Sequence, residues 1–456
     1  MVIISISTFI NDFVNGLCIG LAAENPLHRL SQKQAYWLKF CLMGLLLSNT
    51  INWSAYSRLS LGRYGLAALS WMFRCSKINF TALLEQSVKG ILDKSGLQSG
   101  HIIFDDTDNE RSKNAKHIHG LGKQKDKKSG GYFQGQNIMF CLLVTSKMSI
   151  PVGFAFYAND PSWLSWHKED ERLKKKGVSK AHRPKEVVRD YAKYPTKQQI
   201  SLALASRFKT LLPQFKVLSV MADCFFGTKD WTDGMSSIFL TAQIISQLKS
   251  NQIITHQNKN YNLKTYFDTR AVISSKVVIR GGKSVKIYYS SVIAKVNVHE
   301  KKRLIVAYKY EGEAEFRYVF ATDMSWTPHH VIQTYSLRWL IEVFISDWKN
   351  YEGWAVLTKH IGYEGSYTTL ILSLLFDHCL LLHPEQLARV NNNLPLATVG
   401  SLRQKAIQLH VVQMINELLE DPNPKEKVEQ LIKTIETVFL LRDSSKHLSG
   451  KSAAFT

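Results

Sequence analysis

In the string YSLRWLIEVFISDWK, residues 335–349, Tyr335, Arg338, Glu342 and Lys349 set a phenol, two cations and a carboxylate at helical spacing. At 100° per residue, Tyr335, Arg338, Glu342 and Lys349 fall at about 0°, 300°, 340° and 320°, a stripe about 60° wide. Leu337, Leu340, Ile341, Phe344 and Trp348 fall between about 140° and 240°, so a helix here can bury one face against a sheet while holding the four polar groups at its rim. On most amphipathic helices such a stripe is only a solvated face. Two more carboxylates close apolar runs: Asp106 in HIIFDDTD and Asp223 in KVLSVMAD. An aspartate ending a strand is ordinarily a cap or an ion-pair partner. Brought together with a glutamate, however, such groups form a set of hard oxygen donors, the class that suits Mg²⁺ or Mn²⁺.

The rest of the chain must position these groups. Its 456 residues exceed the usual domain length, so several domains or one domain with a large insertion are expected. Hydrophobic residues at 45%, charged residues at 21% and only 11 prolines exclude a mainly disordered or collagenous protein. The net charge of +21 implies a polyanionic partner, nucleic acid first and a membrane surface second. Cys18, Cys41, Cys75, Cys141, Cys224 and Cys379 form no C-x-x-C pair, which fits a reducing compartment. The apolar start is interrupted by Asn11, Asp12 and Asn15 and does not read as a signal peptide. The run 369–382 contains Asp377 and His378 and is too short to span a bilayer; a buried helix is expected.

Periodicity divides the chain into five stretches. Residues 1–95 read as a helical N-terminal domain, with DNA binding as one possible role. From 96 to 247, three antiparallel strands, a basic polar stretch, a helix at 197–212 and a strand ending at Asp223 suggest an α/β layer. Residues 248–325 are β-rich, with Gly281-Gly282 as a hairpin turn. Helix resumes over 326–385, and 386–456 should hold two helices split at Asp421-Pro422-Asn423-Pro424. Two basic segments stand out. Residues 111–128 carry seven Lys/Arg, and residues 168–197 carry eleven against five acids, enough to track a DNA backbone. His117, His119, His329 and His330 have no metal-ligand spacing.

The stripe Tyr335, Arg338, Glu342, Lys349 resembles the Y-x2-R-x3-E-x6-K signature of DD-E transposases of the insertion-sequence-four family, matched at all four positions and all three spacings. With each residue type near 5%, chance would produce it in this length roughly three times in a thousand. The resemblance implies an α/β fold with an RNase H-like mixed-sheet core, a β-rich insertion, and helical regions at both ends, with dimerisation as the role open to the last. It also implies a metal site of two aspartates at strand ends and the helix glutamate, here Asp106, Asp223 and Glu342, with two Mg²⁺ or Mn²⁺ ions. Asp105 competes with Asp106, because neighbouring strand side chains face opposite ways and only one can share the site. Asp106 is preferred because it directly precedes Thr107, as the family's aspartate commonly does.

Tyr335 and Arg338 would contact phosphates, and Lys349 the transferred strand. The implied activity is metal-dependent cutting of double-stranded DNA at transposon ends, followed by joining of the 3′-hydroxyls to target DNA. A homodimer in a paired-end complex, in the cytoplasm and with the nucleoid when on DNA, would carry it out. A nuclease of the same fold that cuts without joining, and an inactive DNA-binding derivative, remain alternatives.

Overall fold

The computed structural model describes residues 3, 5–126, 129–279, 282–354 and 360–440. Five helices come first: α1 (Thr8–Glu24), α2 (Gln32–Ser48), α3 (Trp53–Leu59), α4 (Leu66–Cys75) and α5 (Phe80–Ser95). In α1 the buried residues are Ile10, Phe13, Val14, Leu17 and Leu21, steps of three and four that put them on one face. The core follows with β1 (Ser99–Glu110), β2 (Gly122–Lys125), β3 (Tyr132–Val144), β4 (Ser149–Tyr157), α6 (Pro161–Lys175), α7 (Lys197–Leu211), β5 (Lys216–Ala222), α8 (Lys229–Ile238) and β6 (Gln243–Leu248). The β-rich stretch holds β7 (Ile253–His256), β8 (Lys259–Asn262), α9 (Leu263–Asp268), β9 (Ile273–Val278), β10 (Ser284–Val296), β11 (Lys301–Tyr310) and β12 (Arg317–Ala321). The chain then becomes helical: α10 (Pro328–Ser336), α11 (Trp339–Tyr351), α12 (Gly362–Leu381), α13 (Pro384–Asn391), α14 (Val399–Leu419) and α15 (Pro424–Val438).

β1, β3 and β4 form the antiparallel trio expected from sequence, while β5 and β6 add parallel to β1 through the α7 and α8 crossovers. The resulting order β4-β3-β1-β5-β6 is that of an RNase H-like core, and the fold is mixed α/β. The β-rich insertion does not stand apart. Its β12 pairs antiparallel with β6, so β12-β11-β10 extend the core sheet and the described strands make one twelve-stranded sheet. β9 and β10 form the expected hairpin, with Val278 opposite Ser284. Gly281 lies outside the described residues, and Gly282 takes a φ of 73°, the left-handed region that glycine tolerates.

The sheet separates two cores. On one side α10, α11 and α12 cover Ile103, Phe140 and Met221. On the other, α7 and α8 cover Ile102, Phe104 and Val220. α12 is apolar all round because it is central: the N-terminal helices pack on it, and all but four of its twenty residues are buried, including the run 369–381. Thr81 of α5 meets Tyr367 of α12 at 3.0 Å, and Ser87 meets His378. The N-terminal helices therefore share one hydrophobic core with α10, α11, α12 and one face of the sheet. Among the described residues no single helix is long and apolar enough to cross a membrane.

Candidate active site

Consecutive residues of β1 point to opposite faces of the sheet, and this decides which aspartate meets Glu342. Asp105 follows Ile103 onto the α11 face, where its Oδ2 accepts a hydrogen bond from Arg338 Nη1 at 3.1 Å. Asp106 follows Ile102 and Phe104 onto the α7 face. Its Oδ2 accepts from Lys197 Nζ at 2.7 Å and Asn137 Nδ2 at 2.6 Å. Lys197 is held there by a capping box in which Thr196 and Gln199 satisfy each other's backbone N–H groups. In the parallel β1/β5 pair, Phe104 lies opposite Ala222, so Asp105 and Asp223 stand side by side where β5 ends. Met221, two residues before Asp223, lies in the same core as Ile103. Asp105, Asp223 and Glu342 thus share one side of the sheet. Asp106, expected with the last two, is not among them, because the phase of β1 turns it away.

The motif helix is two helices. Leu337 and Arg338 keep helical dihedrals, but the amides of Leu337, Arg338 and Leu340 bond three residues back, to Thr334, Tyr335 and Leu337 at 3.0, 3.0 and 2.9 Å. This tightened turn separates Tyr335 from the rest of the stripe. Tyr335 is buried rather than at the rim, and its hydroxyl donates to the Ala222 carbonyl at 3.2 Å, tying α10 to the strand end just before Asp223. Arg338 reaches Glu342 one turn on, Nη2 to Oε1 at 2.5 Å, and so bridges it to Asp105. Lys349 donates to Thr107 Oγ1 and to the Asp108 carbonyl, both at 2.7 Å. The apolar face packs as the periodicity predicts: Ile341, Phe344 and Trp348 are buried, with Phe140 of β3 edge-on to Phe344 and Trp348 at 5.3 and 4.9 Å.

Burial pushes the Asp105 carboxyl up to about 6, with Arg338 opposing the rise, the charge of Asp223 adding to it, and the hydrogen bond from the Asp106 amide opposing it. Burial also raises the Tyr335 phenol well above its usual range and lowers the Lys349 ammonium, the latter against the pull of Asp108. Among the described residues no three His, Cys, Asp or Glu side chains are close enough to hold a metal ion, and the Arg338 guanidinium lies between two of the carboxylates. The donor chemistry nevertheless fits Mg²⁺ or Mn²⁺. Asp105, Asp223 and Glu342 offer only oxygen, Asp105 and Glu342 share one guanidinium, and the negative charge of Asp223 is felt at Asp105, a smaller contribution to its rise than burial.

Sequence reasoning placed Glu342, Arg338 and Asp223 at this end of the sheet but not the roles of Lys197, Asn137 and Thr107 in fixing β1. A lysine beginning a helix behind a capping box, Thr196-Lys197-Gln198-Gln199, was the available signal for the first of these.

Residues 163–374 match the family model of the transposase DDE domain, a span that includes Asp223 and Glu342 and begins after β1. No curated protein matches the chain. Among solved structures, the chain is similar to a piggyBac transposase in a synaptic complex with hairpin DNA, at 11% identity and a TM-score of 0.42, over 98% of this chain and 85% of that one. The domain match supports a DDE transposase, and does not single out the insertion-sequence-four family that the Y-x2-R-x3-E-x6-K spacing resembles.

Proposed function

We propose that this protein cuts double-stranded DNA at the ends of a mobile element and joins the freed 3′-hydroxyls to target DNA, with Asp105, Asp223 and Glu342 as the metal-holding carboxylates. The observation that carries this reading is that Arg338 bridges Asp105 of β1 to Glu342 of α11, with Asp223 following the end of the neighbouring parallel strand beside Asp105. Asp105, Asp223 and Glu342 would hold two divalent ions, which would supply positive charge to ease deprotonation of the attacking water or 3′-hydroxyl and to stabilise the leaving oxyanion. The chain's own groups position the reaction. Arg338 offers a planar fork that matches a phosphate, Tyr335 fixes the strand end before Asp223, and Lys349 holds α11 to β1. In the first step a water oxygen bonds to phosphorus, the P–O3′ bond breaks, and the leaving oxygen takes a proton. In the second, that 3′-hydroxyl attacks a target phosphodiester, loses its proton and expels a target 3′-oxygen. Two copies of the chain, each holding one element end, make the paired complex this sequence of steps needs.

Nicking of a labelled duplex in Mg²⁺ tests the assignment. Asp223→Asn and Glu342→Gln should each lower cleavage by at least about a hundredfold, the scale of several kcal/mol of charge stabilisation, with DNA binding retained. Unchanged cleavage would sink the assignment. Cleavage by the unaltered protein without transfer of labelled 3′ ends would leave a nuclease.

A further inference from the structure

Arg338 makes two charge-assisted bonds, one to Asp105 and one to Glu342, and its side chain is only 18% exposed. A guanidinium so placed satisfies oxygens that a divalent cation would need, and like charges compete for one position. Beside it lies a cavity of about 290 Å³ whose walls include Arg338, Tyr308, Tyr310, Arg317 and Trp339. Its second guanidinium, Arg317, is paired with Glu313, and Gln247 adds an amide. An anion entering from this side meets two arginines and gives Arg338 a partner other than the carboxylates. A phosphate, planar in its acceptor pairs and bidentate, suits that fork well.

Resting on the metal-site reading above, we propose that Arg338 is a latch that occupies the carboxylates in the absence of DNA and is drawn off them by a DNA phosphate entering the neighbouring cavity, so that DNA and divalent metal bind cooperatively. The coupling is reciprocal: whatever factor DNA adds to metal affinity, metal adds to DNA affinity. The protein free of DNA is then a poor metal binder, and the cutting centre assembles only where a phosphate is in place.

Mn²⁺ binding to the full chain, followed by the loss of the free-ion paramagnetic resonance signal, tests this. Measurements are made with and without a short duplex, subtracting Mn²⁺ held by the duplex alone. The duplex should tighten Mn²⁺ binding about tenfold, within the range of about 5- to 150-fold usual for coupled sites. Arg338→Gln should bind Mn²⁺ without DNA about as tightly as the unaltered protein does with it, and should gain little from the duplex. Arg338→Lys, which keeps the charge and loses the fork, should fall between. If Arg338→Gln fails to fold, the duplex dependence of the unaltered protein and the lysine variant still decide. Equal Mn²⁺ affinity with and without DNA, or an Arg338→Gln protein no tighter than the original, would overturn the latch while leaving the metal site intact. Mn²⁺ binding that ignores Asp223→Asn even on DNA would instead overturn the metal-site reading itself.

Discussion

Asp105 and Asp106 are consecutive in β1 yet answer to different cations: Asp105 lies 3.1 Å from Arg338 on the α11 side, and Asp106 lies 2.7 Å from Lys197 on the α7 side. The first contact belongs to the cluster with Asp223 and Glu342. The second ties the strand to the start of a helix.

The two aspartates should therefore separate under mutation. Asp105→Asn is expected to reduce Mg²⁺-dependent nicking by at least about a hundredfold with little change in folding. Asp106→Asn should leave most of the nicking rate and cost about 1 kcal/mol in urea unfolding, the scale of one partly exposed ion pair. The reverse pattern would return the first carboxylate to Asp106.

A second prediction concerns pH. Glu352, which ends α11, and Asp377 of α12 are buried against each other, and two carboxyls can bond only when one keeps a proton. Burial pushes Asp377 up to about 7 and Glu352 well above its usual range, and Asp347 adds to both. Both groups therefore hold protons more tightly folded than unfolded, where they titrate near about 4. The stability that Asp377 lends is complete below about pH 4 and is lost as pH rises through about 7, and Glu352, raised in the same sense, adds a loss in the same direction. The melting temperature should fall from pH 5 to 8, by roughly 2–4 °C for each kcal/mol lost. Asp377→Asn, whose amide can donate to Glu352, should flatten that decline. Parallel curves for the two proteins would rule the pair out as the cause.

A third concerns the basic stretch behind the core. Lys175 and Lys176, at the end of α6, and Lys180 are exposed. If they follow a DNA backbone, replacing all three by alanine should reduce the slope of log affinity against log salt by up to about 2.7, at about 0.9 per phosphate contact. An unchanged slope would show that this surface faces water alone.

Much of the site was legible in the sequence because a helix advertises its phase. The 3.6-residue period set Arg338 and Glu342 on one stripe and Ile341, Phe344 and Trp348 on the opposite one, as the structure has them. β1 gives no such signal. It is buried on both faces, so Ile102, Ile103 and Phe104 are apolar without alternation, and nothing in HIIFDD says which of the two aspartates shares a face with α11. Tyr335 was misjudged for a related reason: a wheel drawn through 335–349 assumes one continuous helix, and the tightened turn at Leu337-Arg338 rotates the first turn inward. The insertion was recognisable as β-rich from its hairpin and alternating runs. Its fusion to β6 was not, since strand partners far apart along the chain leave no local mark.

That fusion has a mechanical consequence. β6 is hydrogen-bonded to β5 on one flank and to β12 on the other, so the residues between Leu248 and Arg317 leave the core sheet and return to it one strand away. Excising them would not trim a decoration; it would remove β11 and bare the outer flank of β12, an apolar strand whose other flank pairs with β6. A shortened protein would carry an open pairing edge two strands from β5, ready to recruit foreign strands.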